Sequence, residues 1–151
     1  MTATDSPWDV MSIGCIPQGG QTHASNKINA QWLTYSTGFR SVPLMNQEPM
    51  MIPLYPTTDT VSRVKGIIVG DPRFYYSIEY RKRTGFDSCL PGEGMILHRF
   101  ESSAPEPDRG VLIDATPGDN NMNNAQFIPG QIFVDAQRNI GVKYNAQRAD
   151  G

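Results

Sequence analysis

The residue types able to do chemistry in this chain are few and widely spaced. Histidine occurs twice, at His23 and His98, 75 positions apart, so local spacing offers no His-x-x-x-His or Cys-x-x-Cys zinc pair. No Gly-x-Ser-x-Gly elbow is present either. Glu93 and His98, five apart at a strand start, fall on opposite faces under strict alternation, which leaves a hydrolytic triad without support. Cys15 and Cys89 allow one long-range disulfide in an exported protein, or two free thiols elsewhere. The run Asp119-Asn120-Asn121-Met122-Asn123-Asn124 sets oxygen side chains at alternate positions, as a calcium loop begins. Asn124 then stands where an EF-hand needs Gly and Gly130 where it needs Glu, so that reading is excluded. A looser calcium site of Asp114, Asp119 and Asn121 is the remaining cofactor candidate, against the plainer reading of a polar turn. In Tyr80-Arg81-Lys82-Arg83, Glu79 and Arg81 share a strand face and Asp87 follows closely. An ion network accounts for these charges better than an oligonucleotide platform.

These groups must be positioned by short elements. Residues 5–20 carry Pro7, Gly14, Pro17, Gly19 and Gly20 at intervals too short for a helix or a ladder, and predict a long N-terminal loop. Over 22–33, Ala24, Ile28 and Trp32 recur every four residues, Leu33 widens the stripe, and Thr22 or Ser25 can cap. One short amphipathic helix is expected there. Strands are expected at 42–44, 50–55, 61–69, 74–81, 94–100, 110–115, 131–134 and 139–144, separated by Pro, Gly, Asn and Asp. The clearest is 74–81, where Phe74, Tyr76, Ile78 and Tyr80 share one face and Tyr75, Ser77, Glu79 and Arg81 the other, as in a half-buried strand. About eight strands without intervening helices predict a mainly β fold, an antiparallel β-sandwich.

Composition sets the outer bounds. A chain of 151 residues is one domain's length. It is 38% hydrophobic with a mean hydropathy of -0.41, and no stretch approaches the roughly 18 apolar residues of a membrane span. No membrane partner is expected. Thirteen Lys and Arg against fifteen Asp and Glu give a net charge of -2, so nothing favours a phosphate backbone and no nucleic-acid partner is expected. Residues 1–9 have neither a basic n-region nor an apolar h-region, so they do not read as a signal peptide.

Three stretches stand out: Pro7-Trp8-Asp9-Val10-Met11-Ser12, Asn26-Lys27-Ile28-Asn29-Ala30-Gln31-Trp32-Leu33, and Tyr75-Tyr76-Ser77-Ile78-Glu79-Tyr80-Arg81 followed by Gly85-Phe86-Asp87-Ser88, Leu90-Pro91-Gly92 and Gly94-Met95-Ile96-Leu97. Together they resemble secreted zinc metallopeptidases of the immune inhibitor A and gametolysin type. They look like that group's Met-turn loop, its following helix with a Lys and a Trp-Leu ending, and its Tyr-Tyr-x-x-Glu-Tyr-Arg, Gly-Phe-Asp and Gly-Val-Leu segments. The likeness runs from about Pro7 to Tyr144. It implies that Asp9 and Met11 belong to a Met-turn that supports zinc-binding histidines without coordinating the metal. The His-Glu-x-x-His helix that would bind zinc precedes the Met-turn in that group, and it is absent from this chain.

The resemblance implies two units, 1–40 as a Met-turn-like loop and helix left from a catalytic domain, and 41–151 as a β-sandwich domain. It implies a secreted protein and favours a Cys15–Cys89 disulfide. The leading functional expectation is a non-catalytic C-terminal portion of a metallopeptidase-like protein, with no catalytic or metal-ligating residue of its own. Zinc is expected in a longer parent, whose catalytic domain would be the partner. The alternative is an independent extracellular module that binds carbohydrate or protein through Trp8, Trp32, Tyr55, Tyr75 and Phe86.

Overall fold

The alternation at 74–81 organises the molecule. In the computed structural model, which describes residues 7–8, 22, 24–45, 48–105 and 110–147, strands β1 (Phe39–Val42), β2 (Gly66–Gly70), β3 (Phe74–Arg81), β4 (Gly94–Glu101) and β5 (Gly110–Ile113) form one sheet in that order. The central pair, β3 and β4, runs antiparallel in a register that sets Tyr76 opposite Arg99, Ser77 opposite His98, Ile78 opposite Leu97 and Glu79 opposite Ile96. A second sheet is the antiparallel hairpin of β6 (Ile132–Asp135) and β7 (Ile140–Lys143). One α-helix is found among the described residues, α1 at Ala24–Asn29.

The fold is mainly β, as the strand spacing predicts, with two departures. The sheet is mixed: β1 pairs parallel to β2. The long connection 43–65 returns the chain to the same end, which a short hairpin turn cannot do. Within that connection the expected strand 50–55 builds no ladder. Pro49, Pro53 and Pro56 bring no N–H, and the segment is held by single contacts such as Tyr55 N–H to Val64 O at 2.8 Å and a bridge between Pro56 and Tyr80. Seven strands in two sheets are therefore found among the described residues, where an eight-stranded antiparallel sandwich was expected.

Both faces of β3 are buried. On the apolar face Phe74, Tyr76 and Ile78 join Ile67, Met95, Leu97, Phe127 and Ile140 in the main core, and the hairpin closes over them with Phe133 edge-on to Tyr76 at 4.9 Å. The opposite face, expected to meet solvent, is covered by α1 and Trp8. Ser77, Glu79 and Arg81 are 2%, 1% and 0% exposed. Gly66 lets the helix approach, because a Cβ there would lie 3.1 Å from both Ala24 Cβ and Leu33 Cδ2. Trp8 packs with Leu90, Ile96, Leu112 and Ala125 in a second cluster and donates its indole N–H to Met122 O at 2.7 Å.

The helix is shorter than its stripe predicts. Gln31 takes the left-handed conformation at φ 59, and the N–H groups of Trp32 and Leu33 both return to Lys27 O. That reversal turns Leu33 inward and leaves Trp32 72% exposed, off the apolar face on which its spacing put it.

Candidate functional site

The polar face of β3 concentrates the chain's buried charge. Glu79 and Arg81 are two apart on one strand and therefore point the same way. Asp87 reaches them from a single 3₁₀ turn, Gly85–Asp87, just beyond the strand. Arg81 donates from Nε to Asp87 Oδ2 at 2.9 Å and from Nη2 to Asp87 Oδ1 at 2.7 Å, a two-pronged pair. Its Nη1 donates to Glu79 Oε1 at 3.3 Å and to the carbonyl of Trp8 at 3.0 Å. Thr57 adds its hydroxyl to Asp87 Oδ2 at 3.3 Å. Burial alone would lower the Arg81 pKa, but Glu79 and Asp87 outweigh it and hold the guanidinium above its ordinary value.

Lys27 enters the same field from α1. Burial pulls its ammonium below the ordinary lysine value, with Glu79 and Asp87 acting against that shift and Arg81 adding to it. Glu79, Arg81, Asp87 and Trp8 thus belong to one buried centre, with the half-buried Lys27 in its field, although the five lie on four separate stretches of sequence. Glu79 and Arg81 form the ion network that the alternation predicts. Trp8, Thr57 and Lys27 were not legible as its members, because nothing in their local spacing points to this strand.

In this centre the carboxylates of Glu79 and Asp87 neutralise the Arg81 guanidinium. His98 lies on the same face, opposite Ser77, and is buried. Among the described residues no group of three or more His, Cys, Asp or Glu side chains is placed to hold a metal ion.

The other expected site residues are dispersed. Asp9, Met11 and Cys15 lie outside the described residues. Cys89 is disulfide-bonded. Asp114, Asp119 and Asn121 meet in one exposed turn whose oxygens already accept local donors. Thr116 gives its hydroxyl to Asp114 at 3.2 Å and to Asp119 at 3.1 Å, and Asn123 N–H reaches Asn121 Oδ1 at 3.1 Å. The amide of Asn124, at 2.7 Å from Asp119, is the main reason that carboxyl titrates below its ordinary value. The five aromatics form no common surface. Trp8 and Tyr75 are buried, Tyr75 stacking on Phe100 at 4.7 Å, and Tyr55 carries the Arg63 guanidinium at 4.6 Å. Trp32 and Phe86 are exposed.

No helix among the described residues is long and apolar enough to cross a membrane. Comparison with protein-family models, with curated proteins and with solved structures finds no match to this chain.

Proposed function

We propose that the chain is the non-catalytic C-terminal portion of a secreted zinc metallopeptidase-like protein, in which the β-rich unit packs on the catalytic domain and fixes its Met-turn segment. One observation carries this reading. Each of the main stretches resembling the immune inhibitor A and gametolysin group contributes to the buried centre: Trp8 from the first, Lys27 from the second, Glu79 and Arg81 from the third, and Asp87 from the Gly-Phe-Asp that follows it. Residues that share a motif by chance have no reason to share a network.

In this reading Arg81 is an anchor. It grips the Trp8 carbonyl, and Asp9 and Met11 come next in sequence, so a wholly buried cation would hold the start of the Met-turn against the sheet. Two carboxylates keep that cation neutralised in a low-dielectric setting. The sandwich expectation belongs here too: the β6–β7 hairpin serves as the second layer over the apolar face. Trp32, Tyr35, Met45 and Met51, between 70% and 90% exposed, give a catalytic domain apolar surface to cover.

The chain purified without added metal should hold no stoichiometric zinc and show no chelator-sensitive cleavage of casein. One tightly held zinc per chain, or cleavage abolished by a chelator, overturns the proposal. Saturable binding of the isolated chain to an immobilised polysaccharide would replace it with the independent-module reading.

A further inference from the structure

A cleft of about 280 Å³ opens at the other side of the sheet, where the β6–β7 turn overhangs the ends of β3 and β4. Its walls include Tyr76, Arg99, Phe133, Asp135 and Arg138. Arg99 faces the same side as Tyr76 because the two are register partners. It is a cation on the side of the sheet that is otherwise the apolar core.

The charges there do not balance. Among the described residues Asp135 is the only carboxylate on the cleft wall, and it is taken. It accepts the Tyr76 hydroxyl at 2.8 Å and pairs with Arg138 at 3.4 Å. Arg138 is further fixed with its guanidinium 3.7 Å from the centre of the Phe74 ring. Arg99 enters no ion pair among the described residues, and its Nε is buried with no hydrogen-bond partner. Arg99 lines the cleft, and a guanidinium fork matches a planar oxyanion with two parallel bonds.

We infer that this cleft binds the carboxylate of a glutamate side chain presented by a peptide segment, with Arg99 as the ligand-contacting fork and Arg138 as its neighbour. A single negative charge fits two arginines opposed by one aspartate, whereas a phosphate dianion would confront Asp135. The ring of Phe133 offers apolar wall for the methylenes behind the carboxylate. The inference rests on these residues and stands apart from the proposed parentage.

The test is a nitrogen-15 amide titration of the full chain with the blocked tripeptide acetyl-Gly-Glu-Gly-amide, its Gln counterpart, acetate and inorganic phosphate. Saturable shifts centred on Arg99, Phe133 and Arg138 are expected for the Glu peptide and not for its Gln counterpart, with acetate weaker for want of apolar contact. Loss of a charged hydrogen bond should weaken binding at least about tenfold in Arg99→Met, with Arg99→Lys recovering part of it. Arg138→Met, away from the buried Nε, gives a second variant should Arg99→Met not fold. Equal shifts with the Gln peptide, no saturation by any probe, or affinity unchanged in either arginine-to-methionine variant overturns the inference. Acetate binding as tightly as the peptide overturns the peptide source. Tighter binding of phosphate overturns the carboxylate class.

Discussion

Arg81→Met tests the buried centre through its energetics. The substitution keeps much of the side chain's apolar length and removes a guanidinium that has 0% exposure and hydrogen bonds to Asp87, Glu79 and Trp8. Glu79 and Asp87 remain, 1% and 0% exposed, as carboxylates that have lost the guanidinium, with Lys27 still in their field. Breaking one buried pair in this way costs about 3–5 kcal/mol, against a total stability of roughly 5–15 kcal/mol for a domain. With a urea dependence of about 2 kcal/mol per molar, the unfolding midpoint should fall by roughly 2 M. The triple variant Arg81→Met, Glu79→Gln, Asp87→Asn also removes both carboxylate charges and should regain part of the loss, because two neutral amides cost less to bury than two carboxylates deprived of their guanidinium. Urea unfolding followed by tryptophan fluorescence reads both, and Trp8 reports on the centre itself. A midpoint shift below about 0.5 M for Arg81→Met, or a triple variant no more stable than the single one, would refute the reasoning.

Ile78→Asp and Ser77→Asp should both destabilise by several kcal/mol, since the two side chains are 4% and 2% exposed; normal thermal melting of Ser77→Asp would mean that its face is open. Burial and the hydrogen bond to Asp135 push the Tyr76 hydroxyl up to about 12. Its folded value therefore exceeds the unfolded one, so its contribution is fully present below about pH 10 and is lost as pH rises from there to about 12. Tyr76→Phe should reduce the loss of stability over that window, to which Tyr80, also raised to about 12, contributes, and an unchanged alkaline profile would contradict it. Cys89 is disulfide-bonded and the chain has one other cysteine, so denaturing, non-reducing thiol titration should find no free thiols. A bridge from Cys15 would close a loop of about 75 residues, and reductant should then cost on the order of 4 kcal/mol; two titratable thiols would exclude it.

Much of the sheet is legible because its signals are local. The alternation of 74–81 fixes β3 to the residue, and Glu79 and Arg81 fall on one face for the same reason. Gly, Pro and Asn punctuation locates β4 to β7 to within two residues at either end. What the sequence does not reveal is tertiary. The polar residues Ser77, Glu79 and Arg81 look like a solvent face, and only the covering by α1 and Trp8 makes them core. Trp32 fits the helical stripe until the left-handed Gln31 ends the helix before it. The parallel pairing of β1 depends on where the proline-rich connection leads the chain, which no period in the sequence encodes. Of the candidate site, the Arg81 pairing was within reach of strand geometry; the Trp8 carbonyl that Arg81 holds, 73 residues away, was not.

The central claim, that this β-rich unit holds the Met-turn of a zinc peptidase, is tested most directly by reading the coding DNA immediately upstream of Met1. An open frame continuous with this one and encoding His-Glu-x-x-His ahead of Trp8 is the predicted result. An in-frame stop followed by a signal peptide joined directly to this chain would contradict it.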